Sequence, residues 1–161
     1  MKRSISIILS ICICLLMGAC RNSNQISQLM NGFEWGQSTA QVGKIQAANN
    51  NTFSVCGKTA ESTYVDYSEG GLSRISYTMS SEHSMEESQD VFNQLTPEYN
   101  DIKETLIQIL GAPDVESEHS GYFTSRWFVG NDIVTLTLKG EKPPASIVKY
   151  NYTIKLVLEH T

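Results

Sequence analysis

Apolar and polar residues along this chain change their spacing several times, and each change marks an element. The first apolar run, Ile5 to Met17, lies between Lys2-Arg3 and the small pair Gly18-Ala19. At about 1.5 Å per helical residue it is too short to cross a hydrocarbon core of roughly 30 Å, and its flanks are those of a cleaved secretory signal. Arg21 to Asn31 is polar and predicts a flexible tether, about 36 Å long when fully stretched. The folded part is expected from Phe33 onward. The chain thus divides into a signal over 1–19, a cysteine-headed tether over 20–32, and one globular domain over 33–161.

Within the domain, Ser38 and Gln41 form a capping box, and Val42, Ile45 and Ala48 recur at helical spacing, which predicts a helix over 39–48. Strands are expected over 52–55, 63–67 and 72–79, where β-branched and aromatic residues gather, with the SEGG tetrad at 68–71 turning the last two. Ser84 and Glu87 read as a second capping box ahead of Val91, Phe92 and Leu95. With Thr96 as its cap and Pro97 in its first turn, a helix over 97–110 carries Tyr99, Ile102, Leu106 and Ile109 on one stripe. It stops at Gly111 and Pro113, and a shorter or kinked helix leads into it. Strands over 122–129 and 133–139 flank the hairpin signal Gly130-Asn131. From Val148 to Leu158 apolar residues alternate with Lys149, Asn151, Thr153, Lys155 and Val157, the mark of an antiparallel sheet with one face buried and one wet. The fold class is therefore α+β, two helical segments on one face of an antiparallel sheet. Both halves run helix then hairpins, which suggests a degenerate tandem repeat.

Charge and cysteine content narrow the function. Once residues 1–19 leave with Lys2 and Arg3, ten basic and seventeen acidic residues remain, a formal charge of −7. Such a balance disfavours nucleic acid, whose phosphates are bound by Lys and Arg, and a broad embrace of anionic lipid. About 140 residues suffice for one domain with a real core. Of the cysteines, Cys12 and Cys14 leave with the signal, and Cys20 follows Gly18-Ala19 directly. Cys56 then has no internal disulfide partner and reads as a small buried side chain.

The segment ending in Cys20 resembles the lipobox of bacterial lipoproteins, with Met17 where leucine is usual. The resemblance implies cleavage between Ala19 and Cys20 and acylation of Cys20, palmitate included, where several acyl chains hold stably and one does not. Arg21 after the cysteine, rather than aspartate, implies the outer membrane facing the periplasm, or the outer surface of the plasma membrane in a single-membrane cell. Phe33-Glu34-Trp35-Gly36-Gln37-Ser38 with Val42, and Leu110-Gly111-Ala112-Pro113 with Trp127, resemble motifs of small envelope lipoproteins. They are also similar to the E component of the barrel-assembly machinery and to the β-lactamase-inhibitor-protein fold. In those proteins helices pack on an antiparallel sheet and the function is protein binding.

Chemistry is sparse by comparison. Gly57-Lys58-Thr59 echoes a P-loop, but the upstream glycine is replaced by Thr52. Asp114, Glu116, Glu118 and His119 read as a solvated acidic loop with no metal-ligand spacing, and no cofactor is expected. His83 and His160 have no evident nucleophile partner, so the chain reads as non-enzymatic. On strand 122–129, Phe123, Trp127 and Val129 share the core face. Tyr122, Arg126 and Phe128 share the other, a composition favoured at interface hot spots. The leading expectation is a protein-binding module with an envelope or periplasmic partner. An inhibitor or immunity protein against a periplasmic enzyme or toxin, matching its acidity to a basic target, is the alternative. A hydrolase gathering His119 or His83 with acids is a third.

Overall fold

The structure is a computed structural model and describes residues 23–119, 121–141 and 150–161. The signal, Ala19 and Cys20 lie outside the described residues, as does the KPP segment before the last strand. Among the described residues three helices, α1 (Ser23–Ser27), α2 (Thr39–Ala48) and α3 (Gln89–Leu110), accompany eight strands. A small hairpin pairs β1 (Ser54–Val55) with β2 (Lys58–Thr59). The main sheet holds β3 (Ser62–Ser68), β4 (Gly71–Ser84), β5 (Val115–His119), β6 (Tyr122–Val129), β7 (Asp132–Glu141) and β8 (Tyr150–His160). Its order is β3-β4-β8-β7-β6-β5 and each neighbouring pair is antiparallel. The carboxy-terminal strand thus lies between the strands of the two halves and joins them into one sheet. The α+β class read from the alternation is the class observed.

Period-two alternation builds the core face. Ile75 and Tyr77 on β4, Ile154, Leu156 and Leu158 on β8, and Val134, Leu136 and Leu138 on β7 are wholly buried. Trp127 on β6 joins them. The stripe Phe92, Leu95, Tyr99, Ile102, Leu106 and Leu110 of α3 lies on this layer. A register shift between Thr78 and Ser80 makes Met79 an extra residue in β4, and pairing with β8 resumes beyond it to Ser84.

Four expectations are corrected. First, residues 21–31 are not all tether: Ile26, Leu29 and Met30 are buried, and the Tyr77 hydroxyl donates to the Leu29 carbonyl at 3.1 Å. The i, i+3, i+4 spacing of these three residues was obscured by the Ser, Asn and Gln around them. The core accordingly begins before Phe33. Second, the helix does not start at Pro97. It runs unbroken from Gln89, capped by Ser88, whose Oγ accepts from the Val91 N–H at 3.3 Å. Pro97 removes one backbone donor, yet burial of Phe92 and Leu95 on one side and Tyr99 and Ile102 on the other keeps the helix continuous across it. Thr96, expected as a cap, donates its hydroxyl to the Phe92 carbonyl instead. Third, Ser84 is the last residue of β4 and not a cap. Fourth, 115–119 is an edge strand and not a loop.

Both glycine-containing motifs have structural work. In the first, Gly36 (φ 79°) donates its N–H to the Leu72 carbonyl and the Leu72 N–H donates to the Gln37 carbonyl, each at 2.9 Å. This fastens the entry to α2 against the tight turn between Ser68 and Gly71. Ser38 and Gln41 then form the capping box that the sequence predicts. In the second, the Trp127 indole N–H donates to the Gly111 carbonyl at 2.8 Å, tying the end of α3 to β6.

Candidate binding face

Antiparallel register decides which side chains share the sheet's other face, the one opposite the helices. Val115, Arg126, Thr135, Val157, Ser76 and Tyr64 form one row across it from β5 to β3. Phe128, Ile133, Glu159, Arg74 and Asp66 form the next. Phe128 and Val115 are 46% and 47% exposed and flank Arg126, while Ile133 and Val157 are half-buried beside them. Apolar and cationic side chains thus meet on an open surface.

Ion pairing divides the charges of this face. Arg74 is held between Asp66 at 4.0 Å and Glu159 at 3.5 Å, and Lys139 pairs with Glu141. Arg126 and Lys155 are exposed and make no ion pair among the described residues. Asp66 and Glu159 share the single Arg74, so the cations left without an ion-pair partner on this face, among the described residues, are Arg126 and Lys155. The acidic side chains gather elsewhere, with Asp90, Glu98, Asp101 and Glu104 on α3 and Glu116 and Glu118 on the helix-facing side of β5.

Tyr122, Arg126 and Phe128 therefore share the open face, but not as a compact trio. Tyr122 is half-buried and opposite Lys139, four residues from Arg126, a distance of about 13 Å along a strand. The centre of the patch is Phe128, Arg126 and Val115. Val115 lies in a segment whose own composition reads as a loop. The alternation of Val115, Ser117 and His119 with Glu116 and Glu118 was the available signal, and it was hidden by the acids and the preceding Pro113.

On the helix side, a cleft of about 640 Å³ separates the first half of α3 from the ends of β5 and β6. Gln89, Asn93 and Asn100 line it with Glu118, His119 and Phe123. The hydroxyl of Thr96, which also lines it, is committed to the Phe92 carbonyl. His119 and Glu118 both border it, from opposite faces of β5, and the described lining residues offer no free hydroxyl or thiol beside them. Beside the cleft, Ser125 Oγ lies 2.9 Å from the Tyr99 hydroxyl and donates to Glu116 at 3.3 Å, and Lys103 pairs with Glu116. Burial pushes the Tyr99 phenol up to about 12; the Ser125 bond opposes this, and Glu116, Glu118 and Tyr122 add to it. Ser125 is itself buried, so this network clamps α3 to the sheet rather than meeting a substrate.

The remaining candidates are accounted for by structure. Asp114, Glu116, Glu118 and His119 do not converge, because strand alternation sends the two glutamates and His119 to opposite faces. Among the described residues no group of three such side chains is placed to hold a metal ion. Gly57-Lys58-Thr59 belongs to the β1–β2 hairpin, and Lys58 reaches Glu98 and Asp101. Cys56 stands in that turn at φ 52°, and burial pushes its thiol up to about 11. His160 is held by structure: its Nδ1 lies 2.6 Å from Asp132, and its ring stacks on Trp35 at 5.7 Å. With the Thr161 N–H donating to the Asn131 carbonyl at 2.9 Å, this pair latches the end of β8 to the β6–β7 turn.

No family model, curated protein or solved structure matches this chain.

Proposed function

We propose that this chain is a lipid-anchored bacterial envelope protein, non-enzymatic, whose open sheet face binds a partner protein. The anchor is Cys20, acylated after cleavage behind Ala19, and the compartment is the periplasmic side of the outer membrane. In a single-membrane cell it is the outer surface of the plasma membrane. The observation that carries the binding role is the uncovered patch of Phe128, Arg126 and Val115 on a rigid sheet. A sheet face needs only one side buried, so an aromatic ring kept half-exposed beside an unpaired guanidinium is composed as an interface centre is composed. Because Arg126 and Lys155 lack counter-charges, the surface they fit is acidic around an apolar contact.

This reading revises the charge argument for the inhibitor alternative, since the acidity that would suit a basic target lies on α3 and β5 rather than on the open face. The two are separated by crosslinked capture of the tagged protein from envelopes, comparing Arg126→Glu/Phe128→Ser with Glu98→Lys/Asp101→Lys. Loss of two hot-spot side chains is expected to weaken capture by about tenfold or more. A partner retained by the first variant and lost by the second would overturn the open-face reading. For the anchor, Cys20→Ala is expected to release the protein from membranes and abolish palmitate incorporation; continued membrane association would refute it.

A further inference from the structure

The main sheet has two edge strands, and the sequence guards them differently. An edge strand leaves every second residue's N–H and carbonyl without a ladder partner, and proteins blunt such edges with short strands, charges or proline. β5 has these devices: it is five residues long, follows Pro113, and carries Glu116 and Glu118. β3 lacks them along its seven residues. It contains no Pro or Lys, and Thr63, Tyr64, Val65 and Tyr67 all favour extended chain. Its single charge, Asp66, is engaged with Arg74.

Register fixes which groups of β3 are unpaired. The two-residue turn at 69–70 makes Ser68 and Gly71 a hydrogen-bonded pair, and alternation then turns the backbone groups of Asp66, Tyr64 and Ser62 toward β4. The shift between Asp66 and Tyr67 leaves this phase intact on β3, because the extra residue, Ser73, is on β4. The N–H and carbonyl groups of Thr63, Val65 and Tyr67 consequently point off the sheet, and none meets a backbone partner among the described residues. At the middle of the strand stands Tyr64, 74% exposed on the open face, with the small Ser76 opposite it on β4.

We infer that β3 pairs antiparallel with β3 of a second copy of this chain, joining two six-stranded sheets edge to edge. Charge selects the register. Centring the pair on Val65 would set Glu61 against Glu69 of the other copy, whereas centring it on Tyr64 sets Ser62 against Asp66 and Thr63 against Val65. The second arrangement keeps like charges apart and makes Thr63 and Val65 hydrogen-bonded partners across the junction. It also places the two Tyr64 rings side by side at a non-hydrogen-bonded pair, where side chains approach most closely, so each ring covers the other. The two-fold axis of such a junction is perpendicular to the sheet, so both open faces look the same way. β6 lies four strands in from β3, about 19 Å, which keeps the Phe128 patches clear of the junction and gives the dimer two of them. The pairing depends on the sheet edge and not on the binding role proposed above.

The test is oxidative crosslinking of the full chain as cells process it. Tyr64→Cys is expected to give a disulfide-linked dimer several-fold faster than Met85→Cys, which is also exposed, at 60%, but lies beyond the end of β4. Ser62→Cys mixed with Asp66→Cys is expected to crosslink, and each of these alone is not. Cys56 is present in every variant, so wild type measures its background. Equal rates at 64 and 85, or a mixture no faster than its separate components, overturns the self-pairing. A measurement on wild type keeps the Tyr64 ring in place: hydrogen exchange at the Thr63 and Val65 amides is expected to slow several-fold as protein concentration is raised, and that along β5 to stay constant. No slowing overturns the pairing. Slowing without the Tyr64→Cys dimer would put a different surface of the second copy on β3, and overturns it as well.

Discussion

Gly71→Ala tests the joint between the motif at Gly36 and the sheet more sharply than a core truncation would. A Cβ at position 71 would lie 2.3 Å from the Gly36 carbonyl oxygen and 2.9 Å from that of Gln37, both backbone atoms with no rotamer to give. Its φ of 99° is in addition a conformation that side chains of L-residues resist, at roughly 1–2 kcal/mol. Relief requires the turn to withdraw, which stretches the two bonds linking Gly36 and Gln37 to Leu72, worth about 0.5–1.5 kcal/mol each. Lower chain entropy in the unfolded state offsets about 0.4–1 kcal/mol. The expected net loss is roughly 1–4 kcal/mol, read as a lower midpoint in urea at unchanged slope. Gly43→Ala is the control, because nothing lies within 4 Å of its Cβ position in α2. That change should stabilise by up to about 1 kcal/mol. If Gly71→Ala behaves like Gly43→Ala, the close approach of Gly36 to the turn is wrong.

Three further outcomes are expected. Leu106→Ala empties a wholly buried site under α3, and should cost about 2–5 kcal/mol by denaturant titration, a value near zero refuting the stripe. Burial raises the Cys56 thiol from 9.0 to about 11 and the Tyr77 and Tyr99 phenols from 10.0 to about 12. The folded state then keeps protons that the unfolded chain releases, so stability is full below pH 9 and falls as pH rises through 11 and 12. Cys56→Ala should flatten the first part of that fall. The same burial makes native Cys56 slow to alkylate at neutral pH and fast in urea; equal rates would contradict it.

How far the fold was legible depended on how many partners a residue needs to declare its place. The β6–β7 hairpin could be read locally, since Gly130-Asn131 and the flanking alternation lie within one short window. The capping box at Ser38 was equally local. By contrast, α3 continues through Pro97 because the sheet beneath accepts its stripe on both sides, and a local rule for proline cannot register that support. The β5 strand is an edge whose only pairing is with β6, so nothing in its own five residues required it to be extended.

The open sheet face divides the same way. Alternation alone assigned Arg126 and Phe128 to the polar side of their strand, because period two is a property of the backbone. Which neighbours they would acquire depended on strand order and register, which brought Val115 beside Arg126 from one side and Val157 into its row from two strands away. Local spacing therefore determined most of the elements and their faces, since those depend on near neighbours. Tertiary structure decided which faces meet and which charges are left without a partner, because those depend on contacts between residues far apart in the chain.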